Sequence, residues 1–332
     1  MENYEVIGDI GTGSFGSVTK IRRKTDGKIL VWKEIDYGEM NDKEKQQVVT
    51  EVNILRELHH PSIVRYYDRI IDKRAAKIFI VMEFCENGDM SHVIRRCKRE
   101  NDPMPEDLIW KIFMQIVLAL YECHKRKEGK ILHRDLKPAN IFLDANMNVK
   151  LGDFGLSRVM GSESVYAHTH VGTPYYMSPE QIVESHYNEK SDIWSLGCLL
   201  YEIVALSPPF EATNKPQLET KIRQGSFQRI PRTYSDELQR VISWMLCSEP
   251  SQRPDVEELL NLPQVSLRLR EKRLREIQAS IRKKEEELKK KEEEIKKIED
   301  ENAAKETELN DREAKIAEFE NNERMKTHQI QI

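Results

Sequence analysis

Glycine and proline are confined to one part of this chain. All 14 glycines and all 13 prolines lie before residue 265, whereas the last 68 residues carry 18 basic and 18 acidic side chains and a single aromatic residue, Phe319. Glycine and proline are the residues least compatible with a helix interior, so the last 68 residues, which lack both, are expected to form one long helix. The sequence predicts a globular domain over 4–264 and a helical tail over 265–326.

The composition argues against several classes of protein. The longest apolar runs, such as Ile116 to Leu120, fall far short of the roughly 18 residues of a membrane-spanning helix, and the first residues do not resemble a signal peptide. The five cysteines form no Cys-x-x-Cys pair, as expected of reduced thiols inside a cell. A net charge of -4 gives no basic footprint for nucleic acid. We therefore expect neither a membrane nor a nucleic acid as a partner.

Apolar periodicity divides the globular part into a β-rich half and a helical half. One helix is predicted to begin at Asn41, among strands expected at 4–10, 18–23, 28–34, 63–71 and 77–84. Later segments have helical periodicity, at 106–124, 191–206, 235–246 and 256–261. This order predicts an α+β fold. The stretch between 153 and 180 has little periodicity, and loops of that length are usually functional or mobile.

Three glycines follow the first predicted strand in the pattern Gly11-x-Gly13-x-x-Gly16. The pattern alone fits a chance cluster, a dinucleotide-binding turn or a flap over nucleotide phosphates. A dinucleotide turn opens a helix, but here a second predicted strand and a hairpin turn follow, which favours the flap. The residues expected to contact the nucleotide are Ile10, Gly11, Thr12, Gly13, Ser14, Phe15, Gly16, Ser17 and Val18.

Lys33 lies in the third predicted strand. Strand alternation puts Val31 and Lys33 on one face, so that Lys33 can reach the phosphates while Val31 covers the base. A lone lysine on a strand is usually a solvated surface residue. Glu51, on the apolar stripe of the predicted helix, offers a partner that would hold the ammonium group in position.

The most specific segment is His133-Arg134-Asp135-Leu136-Lys137-Pro138-Ala139-Asn140, which is followed further along by Asp153-Phe154-Gly155. With these motifs, the sequence resembles the eukaryotic protein kinases over about residues 4–264. The resemblance implies a two-lobed fold, with an N-lobe at 4–82, a hinge at 83–88 and a C-lobe at 89–264. A long C-terminal helix or coiled coil would follow.

The resemblance also implies ATP and Mg²⁺ as cofactors. Phosphoryl transfer depends on positioning and charge neutralisation more than on covalent catalysis. Asp135 would orient the acceptor hydroxyl and accept its proton, with Lys137 near the transferred phosphate. Asn140 and Asp153 would bind Mg²⁺ through oxygen atoms. The hinge and its surroundings would bind adenine and ribose through Met82, Glu83, Cys85 and Asp89.

Later motifs fit the same family. Residues 172–180 resemble the end of the activation segment that docks the substrate peptide, with Thr173 in the docking loop. Glu180 is expected to pair with Arg253, and Asp192, on a helix predicted to be buried, is expected to anchor the catalytic loop.

The type of acceptor follows from the same resemblance. Lys137, two residues after Asp135, together with Thr173, is typical of serine/threonine kinases rather than tyrosine kinases. Leu156 is a bulky residue of the kind associated with a preference for serine.

Regulation is implied by Arg134. In kinases that resemble this chain, the residue before the catalytic aspartate pairs with a phosphorylated residue of the activation segment. Thr169, four residues before Thr173, is the candidate, and a phosphate there adds about -1.5 to -2 charge. The alternative is that Thr169 is an ordinary polar loop residue.

A seven-residue repeat runs through the tail. Its a positions are Leu267, Leu274, Ile281, Leu288, Ile295, Asn302, Leu309 and Ile316. Few of the d positions are apolar, so the pattern favours a weak parallel homodimeric coiled coil in which Asn302 sets the register. A solitary charged helix with many i,i+4 ion pairs is the alternative.

The kinase segments at 29–34, 64–70, 171–180 and 188–195 resemble the NIMA-related kinases, and the tail resembles their centrosomal, coiled-coil-bearing type. This implies protein substrates, a mitotic or centrosomal role, and a location in the cytoplasm, the nucleus and the centrosome. A catalytically inactive scaffold that assembles partners through the coiled coil is the rival hypothesis.

Overall fold

The computed structural model describes residues 1–13, 16–38, 40–127, 129–153, 174–183 and 187–330. The chain divides into two compact units, Met1–Arg268 and Leu269–Ile332. Within the described ranges, no helix combines the length and apolar character needed to cross a membrane.

The beginning of the chain forms a five-stranded antiparallel sheet in the order β1-β2-β3-β5-β4. The strands are β1 Tyr4–Gly13, β2 Gly16–Arg23, β3 Ile29–Asp36, β4 Tyr66–Asp72 and β5 Lys77–Glu83. One helix, α1 (Asp42–Glu57), is inserted between β3 and β4. The predicted β-rich small lobe is confirmed.

The two faces of this sheet have different roles. Trp32 packs against Phe79, with ring centroids 5.2 Å apart, in an apolar cluster on one face. Lys33, the next residue of β3, is only 2% exposed. A buried ammonium group is stable only with compensating partners, so the fold must supply them near Lys33.

The larger lobe is helical around a short hairpin of β6 (Ile141–Leu143) and β7 (Val149–Leu151). Its described helices are α2 Met90–Glu100, α3 Glu106–His124, α4 Pro179–Val183, α5 Glu189–Ala205, α6 Lys215–Gln224, α7 Asp236–Met245 and α8 Val256–Leu260. Most side chains of α5 are buried, as its sequence predicts. The two-lobed α+β fold is confirmed.

Three of these helices, α2, α4 and α6, are not predicted from the sequence. Helix α2 has as many Arg and Lys residues as apolar ones, and they conceal an apolar stripe formed by Met90, Val93, Ile94 and Cys97.

The tail is one long helix, α9 (Pro263–Ile330), and this agrees with its lack of glycine. The start of α9 belongs to the globular unit, because Val265 is fully buried and Gln264 donates to Glu237 at 3.1 Å. Arg268 pairs with Asp107 on α3. The compact unit therefore continues past the predicted boundary at 264, to Arg268.

Candidate active site

Two residues far apart in sequence meet between the lobes of the globular unit. Lys33 on β3 donates to Asp153, which follows β7, with 2.8 Å between Nζ and Oδ1. Asp153 adopts a left-handed backbone, with φ of 55°, and its side chain is 21% exposed. The pair supplies a partner for the buried ammonium group and leaves part of the carboxylate open to solvent.

The carboxylate of Asp135 is held by two neighbours in its own loop. Lys137 Nζ lies 2.8 Å from Oδ2 of Asp135, and Asn140 Nδ2 donates to the same oxygen at 2.9 Å. Asn140 also donates to the backbone carbonyl of Asp135 at 2.7 Å. The Asp135 side chain is 28% exposed, so a ligand can approach it.

His133 links this loop to Gly152, the residue immediately before Asp153. Its Nε2 donates to the carbonyl of Gly152 at 2.9 Å, and its Nδ1 accepts from the backbone N–H of Asp135 at 3.3 Å. Burial lowers the pKa of His133, which favours the neutral ring that these two bonds require. Gly152 in turn donates to the carbonyl of Asn140 at 3.0 Å. Asp135, Asn140 and Asp153 are therefore held in one connected structure.

Asp192 on α5 anchors the catalytic loop through its backbone, as predicted. Its two oxygens accept from the backbone N–H groups of His133 at 2.9 Å and Arg134 at 3.0 Å. His124 Nε2 donates to Oδ2 at 2.8 Å, and the hydroxyl of Tyr187 bonds to Oδ1. Burial alone would raise the pKa of Asp192, but the hydrogen bond and charge of His124 hold it below the usual value.

The predicted adenine region lies beside Val31. In the pairing of β3 with β5, Val31 opposes Met82 and Leu30 opposes Glu83. The Glu83 carboxylate is bound by Lys150 at 2.8 Å, and its backbone N–H donates to the carbonyl of Arg65 at 2.8 Å, so both groups have partners within the protein.

Cys85 lies in the predicted hinge, and Asp89 is the first residue after it. Burial raises the pKa of the Cys85 thiol to about 12, so this side chain stays protonated at physiological pH. Asp89 caps α2 by accepting from the backbone N–H of His92.

Gly16 at the start of β2 occupies a position that only glycine fits. Its φ is 147°, and an added Cβ would lie 2.0 Å from the carbonyl oxygen of Glu34. Two residues further, Val18 pairs with Lys33, and on its other side Val18 pairs with Gly11. Strand β2, which begins at Gly16, therefore runs alongside the buried lysine, and β1 is the next strand out.

Some predicted site residues lie outside the described part of the chain, namely Ser14, Phe15, Thr169 and Thr173. The side chains of Thr12 and Glu51 also lie outside it, although the backbone of Thr12 is in β1 and that of Glu51 is in α1. Ile10, Gly11 and Ser17 are on the strands beside the turn.

Comparison with known families agrees with this geometry. The protein kinase domain family matches residues 4–265.

The chain belongs to the protein kinase family.

Named relatives narrow the placement within the kinases. The chain is 56% identical over 274 residues to the "Probable serine/threonine-protein kinase nek2" of Dictyostelium discoideum, an alignment that covers 82% of this chain and 65% of that protein. It is 55% identical over 279 residues to "Serine/threonine-protein kinase Nek2" of Homo sapiens, covering 83% and 63%. It is 44% identical over 300 residues to "G2-specific protein kinase nimA" of Emericella nidulans, an alignment that covers 83% of this chain and 43% of that protein. The resemblance to NIMA-related kinases is confirmed, and the chain spans less than two thirds of the length of these relatives.

The kinase site has donors suited to a nucleotide-bound Mg²⁺. Asn140 and Asp153 carry oxygen atoms, the ligands that Mg²⁺ prefers. Among the described residues, no group of three His, Cys, Asp or Glu side chains is placed to hold a metal ion. Mg²⁺ on a nucleotide usually takes one or two protein oxygens together with phosphate oxygens and water, and Asn140 and Asp153 would supply those protein oxygens.

A second buried ion pair supports the site from the C-lobe. Arg253 donates to both oxygens of Glu180 at 2.8 Å, and Ser191 Oγ donates to Oε1 at 2.8 Å. The pairing predicted for these two residues is confirmed.

Sequence reasoning misses two polar contacts near the site. His124 supports Asp192, and Tyr176 hydrogen-bonds to Glu202. The signal for His124 is a polar residue that ends a strongly apolar helix, but nothing local identifies Asp192 as its partner. Burial raises the pKa of both Tyr176 and Glu202.

Proposed function

We propose that this chain is a serine/threonine protein kinase that transfers the γ-phosphoryl group of ATP to a protein hydroxyl. The observation that carries the proposal is the joint geometry of Lys33 with Asp153 and of Asp135 with Asn140. The bonds of His133 and Gly152 connect these two pairs. The relatives from Dictyostelium discoideum and Homo sapiens are named as serine/threonine-protein kinases.

Each residue type suits one part of the reaction. ATP with Mg²⁺ would supply the γ-phosphoryl group, and ADP would be the leaving group. Asp135 orients the acceptor hydroxyl and accepts its proton, while Lys137 adds positive charge where negative charge develops. Asn140 and Asp153 would hold the Mg²⁺ ion, and Lys33 would neutralise phosphate charge. The Lys33–Glu51 pair stays a prediction.

The rival hypothesis is a catalytically inactive scaffold, and a transfer assay separates the two. Purified chain, radiolabelled ATP, Mg²⁺ and a generic serine-containing protein substrate should give labelled substrate. Asp135→Asn keeps the size of the side chain, removes its charge and should abolish labelling, whereas Asp311→Asn on the exposed tail should leave it unchanged. Equal labelling by wild type and Asp135→Asn, or none by either, would reject the proposed activity.

We further propose activation by phosphorylation of Thr169. Arg134 supports this proposal, because its backbone is fixed by Asp192 and its guanidinium lies over the ring of Tyr187 at 5.7 Å, so a cation is held beside the catalytic loop. Thr169→Ala should lower peptide phosphorylation strongly, whereas Ser164→Ala should not. Full activity of Thr169→Ala would rule out this regulation.

We also propose that the tail forms a homodimer and that the kinase acts in the cell cycle, at the centrosome. The apolar a positions of α9, from Leu267 to Ile316, are about half exposed in the single chain and would be buried in a coiled coil. Two tethered kinase domains would have a high effective concentration for phosphorylation in trans.

A fluorescent fusion imaged against a centrosomal marker tests the proposed location at the centrosome, and a diffuse signal in mitotic cells would contradict it.

A further inference from the structure

Helix α2 carries a basic stripe on the side opposite its buried face. Met90, Val93, Ile94 and Cys97 are buried in the C-lobe. The exposed residues at i, i+3, i+4 and i+7 spacing are His92, Arg95, Arg96 and Arg99. We call these four residues the α2 stripe, and Lys98 flanks it.

Few acidic side chains offset this charge. Glu100 pairs with Arg99 at 2.9 Å, and Asp89 is engaged with the start of the helix and with His92. Among the residues that the structure describes, Arg95 and Arg96 have no ion-pair partner. Like charges at i,i+4 spacing, such as Arg95 with Arg99, destabilise a helix by a few tenths of a kcal/mol. An external anion would relieve that repulsion.

The helix that carries the stripe packs beside the catalytic loop, with the stripe on its outer, exposed side. Helix α2 starts immediately after Asp89, the candidate ribose contact, and packs against the turn at Pro138–Asn140. The start of the helix therefore places the stripe near the expected nucleotide side of the site.

We propose that the α2 stripe is a docking site for an acidic segment of the protein substrate. The inference rests on the proposed kinase function and adds a specificity element to it. Charge complementarity selects this occupant: the stripe is basic, whereas the whole chain has a net charge of -4. From His92 to Arg99 the helix rises about 10 Å, a length that about four residues of an extended peptide cover. A run of about four acidic residues near the acceptor therefore matches the stripe.

Two acceptor peptides test the proposal. They share one serine-containing sequence, and one has four consecutive Glu residues where the other has four Gln. Wild type should phosphorylate the Glu peptide with a KM roughly tenfold lower at low salt and the same kcat, a difference of about 1.4 kcal/mol. Because salt screens exposed charges, the preference should shrink as the salt concentration rises from about 50 to about 300 mM. The double variant Arg95→Glu with Arg96→Glu should lose the preference and keep its kcat on the Gln peptide.

A matched control separates local docking from total charge. Arg232→Glu with Arg240→Glu changes two exposed arginines elsewhere in the C-lobe by the same amount and should keep the preference. Fluorescence anisotropy of the labelled Glu peptide gives an independent readout, and its affinity should fall only in the α2 double variant. Equal KM values for both peptides in wild type, or a preference that survives in the α2 variant, would overturn the docking proposal. Failure to phosphorylate either peptide would count against the kinase function, and the binding experiment would still decide the docking site.

Discussion

His124 on α3 donates to Asp192 on α5 at 2.8 Å, and both side chains are sealed from solvent, with exposures of 4% and 0%. Asp192 holds the backbone of His133 and Arg134. His124 therefore acts on the catalytic loop through another residue, as a positioning residue.

Replacing His124 should affect both stability and turnover. His124→Leu removes a donor from a buried carboxylate, which we expect to cost about 1–3 kcal/mol of unfolding free energy and to lower kcat more than it raises the KM for ATP. Urea unfolding and steady-state kinetics measure the two effects. His124→Gln keeps a donor and should recover part of both losses. If His124→Leu lost stability but kept kcat, the positioning role would be wrong.

Gly16 should be more sensitive to substitution than a glycine of the same strand pair that lies in open space. Gly16→Ala introduces a Cβ only 2.0 Å from the carbonyl oxygen of Glu34 and forces alanine into a φ of 147°, so the turn must move. We expect a rise of tenfold or more in the KM for ATP, equivalent to about 1.4 kcal/mol.

Gly8→Ala is the matched control, because its added Cβ meets nothing within 4 Å. It should leave the KM within about twofold of wild type, on the order of the few tenths of a kcal/mol expected of surface changes. Equal effects of the two substitutions would show that the turn geometry at Gly16 is not what matters.

The Glu180–Arg253 pair should make stability depend on pH. Burial opposes ionisation of Glu180, but the hydrogen bond and charge of Arg253 lower its pKa below the usual 4.5. Because the folded-state pKa is depressed, this contribution is fully present above pH 4.5 and is lost as the pH falls through the lower, folded-state value.

Glu180→Gln tests that dependence. Arg253 is completely buried, so removing the charge of its partner should cost about 3 kcal/mol at pH 7. Urea titrations from pH 7 down to about pH 3 should show the gap between wild type and variant narrowing below about pH 4.5. Exposed Glu257→Gln should give no such gap, and a constant gap for Glu180→Gln would contradict the assignment.

The sequence predicts the parts of the site that local chemistry defines. Asp135, Lys137 and Asn140 occur in one short segment, and their mutual bonds follow from that proximity. Alternation in β3 correctly assigns Lys33 and Trp32 to different environments, because a strand has a period of two. Spacing alone cannot predict that His124 meets Asp192 or that Tyr176 meets Glu202, because those contacts depend on how whole helices pack. Helix α2 is missed for another reason, since its basic side chains mask four buried positions.

The boundary of the globular unit gives a further prediction. Val265 is fully buried although it follows Pro263, the last proline, so the start of α9 is part of the C-lobe core. Val265→Asp should lower the unfolding free energy by at least about 2 kcal/mol, since it replaces a buried apolar side chain by a carboxylate. Leu267→Asp, at a position that is 54% exposed, should have little effect on the unfolding of the domain. Similar losses in both variants would contradict a boundary beyond 264.

The apolar a positions of α9 should determine whether the protein is a dimer or a monomer in solution. Leu288 and Ile295 are 59% and 55% exposed in the single chain, which is unfavourable for apolar side chains unless a second helix covers them. Leu288→Asp with Ile295→Asp should convert a dimer into a monomer in sedimentation equilibrium at tens of micromolar, an order of magnitude suited to a weak seam. Lys289→Asp with Lys296→Asp changes the neighbouring outward positions and should leave the dimer intact.

Asn302→Leu should strengthen association but allow other oligomeric states, because a buried polar a residue sets register at the expense of stability. A wild-type chain that sediments as a monomer would establish the solitary helix instead.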